Sequence, residues 1–171
     1  MSSHDRSASR PVLADLSVGD VVATRTIHVD RARLVAYAAA SGDLNPIHWD
    51  ERFAVSVGLP DVIAHGMFTM GAAGELASQW AGGPQHVTSW GCRFINPVVV
   101  PYEGGADIEV TGTVKKVDAD ADEVTLELAV TQDDTKVLGR ALAVLAVPGR
   151  DAEGDDGAPP PTAPPTGAED R

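Results

Sequence analysis

Residues 67–80, Met-Phe-Thr-Met-Gly-Ala-Ala-Gly-Glu-Leu-Ala-Ser-Gln-Trp, are apolar on nearly every side of a helix, with only Thr69, Glu75, Ser78 and Gln79 polar. A helix without a wide polar face has to be buried in a core rather than laid on one. The small residues Gly71, Ala72, Ala73, Gly74 and Ala77 let other elements approach its backbone closely. The C-terminal half of the chain can supply the enclosure. Residues 106–117 alternate, with Ala106, Ile108, Val110 and Val114 opposed to Asp107, Glu109, Thr111, Thr113 and Lys115, and residues 124–130 do the same through Val124, Leu126, Leu128 and Val130. Period-two patterning marks strands with one buried face. Strands also read over 87–94 and 135–147, and Asp133-Asp134 makes a connection tight enough for a hairpin. Before the central helix, β-branched residues favour a strand over 21–29. Asp30 then serves as N-cap for a helix over 31–40 that ends at Gly42, and a short helix over 50–57 closes at Gly58. The pattern alone gives an α+β class, in which a run of antiparallel strands buries the 67–80 helix only by wrapping around it.

With 171 residues, 43% of them hydrophobic, the chain has enough material for one domain with a real core and too little for two. A Ser/Arg-rich arm at 1–11 and an acidic, Pro-rich tail at 149–171 are expected to be disordered, leaving 12–148 as the folded unit. The formal net charge of −12 argues against nucleic-acid and anionic membrane surfaces, and residues 148–171 account for only −4 of it, through six acids and two bases. No apolar run approaches the roughly 20 residues of a membrane helix. Residues 1–10 do not read as a signal peptide, and the lone Cys92 excludes an internal disulfide, so a cytoplasmic location is favoured. Cys92 lacks a sequence-adjacent base and reads as a packed thiol.

Chemistry concentrates in Ser41-Gly-Asp-Leu-Asn-Pro-Ile-His-Trp-Asp50. Pro46 disfavours the α conformation at Asn45, so residues 42–47 form an ordered loop carrying Asp43, with His48 just past it. Taken alone, Asp43 reads as a cap or turn residue and His48 as a partly buried, hydrogen-bonded histidine. Together they aim a carboxylate and an imidazole at one small object, most simply a water. Asn45 reads as the side chain that stabilises this turn. At the head of the apolar helix, Gly66 has two readings: it lets the helix start pack closely, or its free N–H, backed by the helix dipole, binds an oxygen that gains negative charge. His65 is a polar shoulder to it. Asp43, His48 and His65 are three ligand-type residues without a recognisable metal-ligand spacing, so no metal is expected. There is no dinucleotide or phosphate-binding glycine motif and no Gly-x-Ser-x-Gly elbow.

The set Tyr37, Ser41 to His48, Ala54, then His48-Trp49-Asp50, Val57-Gly58-Leu59, Ala64-His65-Gly66-Met67-Phe68-Thr69-Met70-Gly71 and Arg93-Phe94 resembles the MaoC-like family of R-specific enoyl hydratases and dehydratases. Within it, the pattern is most similar to the catalytic B-type (HadB) subunits of actinobacterial 3-hydroxyacyl-ACP dehydratases. The resemblance spans about residues 12–147 and departs at Ala40, where the signature prefers Leu, Val, Ile or Gly. It implies a hot-dog fold, in which an antiparallel sheet wraps a long central helix. It implies Asp43 and His48 as catalytic residues, the Gly66 N–H as oxyanion hole for a thioester carbonyl, and Asn45, Pro46 and His65 as supporting residues, with no cofactor. The implied reaction is reversible dehydration of (3R)-hydroxyacyl thioesters to trans-2-enoyl thioesters, ACP-linked and in fatty-acid elongation, with (R)-specific enoyl-CoA hydration as the second reading. A non-catalytic acyl-binding subunit and a hot-dog thioesterase are the remaining alternatives, and the intact Asp-x-Asn-Pro-x-His motif counts against both. The implied partner is a second hot-dog subunit, in a homodimer or in a heterodimer with a related chain lacking the dyad.

Overall fold

A computed structural model describes residues 11–147, so the expectations for the arm and the tail lie outside the described residues, apart from Pro11. A single 3-10 turn at Leu13–Asp15, not foreseen from the sequence, precedes β1 (Val21–Val29). In α1 (Arg31–Ser41) the Asp30 carboxylate accepts the Arg33 N–H at the start, and Gly42 stops the helix in the left-handed region at φ 76°. This is the αL cap that glycine adopts without a Cβ penalty. The short α2 (Glu51–Ser56) is capped in the same way by Asp50, through the Phe53 N–H. Then come α3 (Gly66–Trp80), β2 (Val87–Phe94), β3 (Ala106–Asp118), β4 (Glu123–Gln132) and β5 (Thr135–Ala146).

The five strands form one antiparallel sheet in the order β1-β3-β4-β5-β2. The core is the inner face of this sheet. Ile108, Val110 and Val114 of β3 face it beside Val124, Leu126, Leu128 and Val130 of β4, all at 2% exposure or less. Asp133 and Asp134 take φ of 46° and 62° between the paired residues Gln132 and Thr135, the type I′ geometry that matches the twist of a two-residue hairpin. In β5 a bulge at Arg140, φ 48°, advances the chain by one residue, so that Leu138 and then Ala141, Ala143 and Leu145 all stay on the core side.

Helix α3 touches all five strands, and the fold is the hot-dog arrangement. The sequence expectation of a helix buried on every side does not hold. The helix is not enclosed all round: Ala73, Leu76 and Ala77 are buried, whereas Met67, Gly71, Glu75 and Gln79 form an exposed face. Its apolar character comes largely from Gly and Ala, which leave little surface to cover, so an open side costs far less than it would for a Leu-rich helix.

Two ties fix the region around the head of α3. Ala64 N–H donates to the Val98 carbonyl at 2.8 Å and Val100 N–H to the Val62 carbonyl at 2.9 Å, so residues 62–64 and 98–100 pair across an isolated Ile63–Val99 bridge. Arg31 donates to the Val100 carbonyl at 2.9 Å and pairs with Asp61 and Glu51, linking α1 to the loops on either side of the site.

Close packing of sheet on helix is tightest at Gly74, where an added Cβ would lie 2.8 Å from Trp90 Nε1, whereas one at Gly71 would meet nothing within 4 Å. Alanine gains about 1 kcal/mol of helix propensity at either position, but overpacking costs about 1–3 kcal/mol. Gly71→Ala is therefore expected to raise stability and Gly74→Ala to lower it, as read by denaturant unfolding. A Gly74→Ala variant as stable as Gly71→Ala would show that Trp90 does not pack closely on the helix.

Candidate active site

The motif loop leaves α1 at Gly42 and is held by its own side chains. Asp43 Oδ1 accepts the Asn45 N–H and Asn45 Oδ1 accepts the Ile47 N–H, both at 3.2 Å. Pro46 opens a 3-10 turn, Pro46–His48, so His48 sits inside a single helical turn rather than just past a loop. The Trp49 indole N–H donates to the Leu44 carbonyl at 3.1 Å and closes the loop from the other side.

His48 Nδ1 lies 2.7 Å from the Ile63 carbonyl. A carbonyl only accepts, so Nδ1 carries the proton and the neutral ring presents a lone pair at Nε2. That lone pair faces Asp43 Oδ2 at 3.8 Å, with the imidazole 8% exposed and the carboxylate 52% exposed. The gap is too long for a direct hydrogen bond, and both facing groups are acceptors. A single water has the two donors that such a pair needs. Burial holds the His48 pKa below the ordinary histidine value, and His65 pushes the same way; the Ile63 bond and Asp43 oppose them. The outcome is an imidazole kept neutral, with the Nε2 lone pair free to accept.

His48 and Gly66 share the wall of a cavity of ≈ 240 Å³, together with Ile63, Thr69, Phe94 and Val98. Gly66 is the first residue of α3, and no side chain caps that end of the helix. Its missing side chain admits the Phe94 ring, which would lie 3.1 Å from a Cβ there. Asp43 is not part of this wall and reaches the site only through the carboxylate beside Nε2.

His65 lies deeper than the sequence suggested. It is 2% exposed and stacks on His48 with centroids 3.7 Å apart and planes inclined by 24°, while its Nε2 lies 3.1 Å from the Asp43 carbonyl. The ligand-type atoms of Asp43, His48 and His65 lie within 4.8 Å of one another. Two near-parallel stacked rings direct their in-plane lone pairs side by side. An ion at the 2.0–2.1 Å typical of zinc–histidine bonds would then sit out of both ring planes, so the trio fits a metal poorly. Sequence reasoning also missed Thr69 and the 95–98 segment as wall residues. The signal for Thr69 was present, as a lone polar residue one turn beyond Gly66. Cys92 is half-buried, and burial raises its thiol pKa, which agrees with a packed, unreactive side chain.

Residues 15–133 match the MaoC-like domain. The chain belongs to the MaoC-like family. Over 79 residues it is 43% identical to the 3-hydroxyacyl-thioester dehydratase X of Mycobacterium tuberculosis, a match covering 46% of this chain and 27% of that protein. Over 81 residues it is 36% identical to the (R)-specific enoyl-CoA hydratase of Aeromonas caviae, covering 47% of this chain and 60% of that one. Among solved structures it superposes on a MaoC-like dehydratase with a TM-score of 0.79 and 38% identity, over 81% of this chain and 43% of the other. The match thus spans about a quarter of the dehydratase X and less than half of that solved chain.

A ring-nitrogen NMR titration tests the electrostatics of this MaoC-like site. The His48 midpoint is expected below about 6.5, the ordinary histidine value. Asp43 favours the charged imidazole, so Asp43→Asn should move the midpoint lower still. A midpoint above 7 in the unaltered protein would contradict the burial of the ring.

Proposed function

We propose that this chain carries out the reversible dehydration of (3R)-hydroxyacyl thioesters to trans-2-enoyl thioesters, with Asp43 and His48 as the catalytic pair and the Gly66 N–H as the oxyanion donor. The observation that carries this reading is a free His48 Nε2 lone pair, 3.8 Å from a carboxylate, on the same cavity wall as the uncapped head of α3.

An enoyl thioester is a weak electrophile at C3 until its carbonyl oxygen is polarised. The Gly66 N–H, with the α3 dipole behind it, stabilises that oxygen as charge builds on it. In the hydration direction, a water donating to His48 Nε2 and Asp43 Oδ2 loses a proton to the pair as its oxygen bonds to C3. The C2=C3 electrons move onto the thioester oxygen. Collapse of this enolate takes a proton from the pair at C2. One water has been added, and the pair is back in its starting state. Dehydration is the same path reversed, and its direction follows the supply and removal of thioesters. No step needs a cofactor.

The family resemblance favours an ACP-linked substrate in fatty-acid elongation. The similarity to an enoyl-CoA hydratase supports a CoA thioester as the second reading. The partner we propose is a second hot-dog subunit, in a homodimer or with a related chain. Among the described residues β1 and β2 are the sheet's edge strands, and Phe94 and Ile95 are exposed beside the cavity. The cytoplasm is the proposed compartment; no helix among the described residues is long and apolar enough to cross a membrane.

The purified protein is expected to consume a crotonyl thioester, followed by loss of enoyl absorbance, with Asp43→Asn and His48→Ala each slower by about two to four orders of magnitude. Undiminished rates in either variant would remove the pair from the mechanism. For an inactive preparation, the assay is repeated with a co-expressed hot-dog partner and an ACP-linked substrate, and silence there would favour a non-catalytic acyl-binding subunit. Release of free thiol would instead indicate a thioesterase.

Gly66 is separable. Proline is tolerated at the first helical position and lacks only the N–H, and His65 already has a ψ of 131° that suits a following proline. Gly66→Pro is therefore expected to be about 100-fold slower than Gly66→Ala, which crowds Phe94 but keeps the donor. Equal rates for the two variants would exclude the N–H as the oxyanion donor.

A further inference from the structure

His65 is among the most buried polar side chains described, at 2% exposure, yet proton transfer by Asp43 and His48 makes no use of it. All its polar and stacking contacts run to the elements that do the chemistry or back them. Because the Asp43 carbonyl can only accept, His65 Nε2 carries the proton and donates it across 3.1 Å. The same ring lies 3.7 Å from the His48 ring, in a stack. Tyr37 also packs against His65, with ring centroids 4.8 Å apart, and Phe68 packs edge-on against Tyr37 at 5.5 Å. Its remaining nitrogen, Nδ1, has no hydrogen-bond partner among the described residues. A side chain that merely filled this space could be an apolar aromatic, which would bury no unpaired lone pair. The histidine is explained by the two things it joins.

We infer that His65 is the positioning residue of the site, an imidazole that ties the Asp43 main chain to the His48 ring and so keeps the carboxylate and Nε2 at water-spanning distance. The inference rests on the reading of Asp43 and His48 as the water-handling pair. Asp43 is on a loop and half exposed, whereas His48 is anchored to Ile63; the His65 bond is the tie from the Asp43 main chain to the ring that stacks on the imidazole it must work with.

The test compares His65→Phe, which keeps an aromatic ring and loses the donor, with His65→Gln, whose amide N–H reaches as far as the imidazole Nε2. In the crotonyl thioester assay, His65→Phe is expected to lower kcat by about 10- to 100-fold with little change in KM, the scale of loss that accompanies a misplacement of about 1 Å. His65→Gln should recover most of that loss, and both should keep the unaltered protein's melting behaviour. His65→Phe at the unaltered kcat, or His65→Gln no better than His65→Phe, overturns the positioning role, provided His48→Ala is inactive in the same assay. An active His48→Ala would instead overturn the reading of the pair. If the variants do not fold, nitrogen NMR of the unaltered protein at pH 8 decides: the proton is expected on Nε2 of His65 and on Nδ1 of His48, and a proton on Nδ1 of His65 overturns the inference.

Discussion

The hydrogen bond from His48 Nδ1 to the Ile63 carbonyl is the constraint on which the site depends. It sets the tautomer, and the tautomer decides that Nε2 faces Asp43 as an acceptor rather than as a donor. Ile63 is able to do this because its backbone is committed twice over. Its N–H donates to the Ile47 carbonyl at 3.1 Å, and it lies in the short extended segment paired with residues 98–100. One residue thus anchors the motif loop, orients the imidazole and leads, three positions later, into the first N–H of α3. The distance between the His48 imidazole and the first N–H of α3 is set by extended backbone rather than by a flexible connection.

Packing of the helix on the sheet serves the same end. Gly74 brings α3 against Trp90, and Gly66 lets Phe94 close over the helix start. Both contacts draw β2 toward the helix. The cavity lies where this contact opens, lined by apolar side chains except where His48, Thr69 and Asn96 reach it. An apolar wall around few polar groups strengthens each of their interactions, and the same burial that shapes the cavity lowers the His48 pKa and favours the neutral imidazole. Architecture and acid–base behaviour therefore share a cause.

Much of the fold was legible from local pattern. The strands at 87–94 and 106–117, the cap at Asp30 and the αL stop at Gly42 follow from β-strand patterning, side-chain capping and the freedom of glycine, each readable over a few residues, whereas Asp50, read as the first residue of the short helix, is its cap. The half-open state of α3 was not. Composition indicates that a helix tolerates burial, whereas which face is covered depends on where the sheet and α1 lie. His65 shows the same limit. Beside Gly66 it reads as a shoulder, because nothing within its own stretch of chain indicates that the loop carrying Asp43, 22 residues earlier, returns to accept its hydrogen bond.

By itself, then, the sequence determined the α+β class, the order of elements, and the residue types of the proposed acid–base pair, followed by a helix that begins at a glycine. These are properties of neighbouring residues, fixed by periodicity and by the stereochemistry of Asn-Pro and glycine. Only the tertiary structure decided which imidazole nitrogen is free, how far it stands from the carboxylate, that His65 lies under the pair and that Gly66 opens onto the same cavity. Each of these depends on contacts between segments distant in the chain, and the sheet that brings them together is held by pairings no short window of sequence contains.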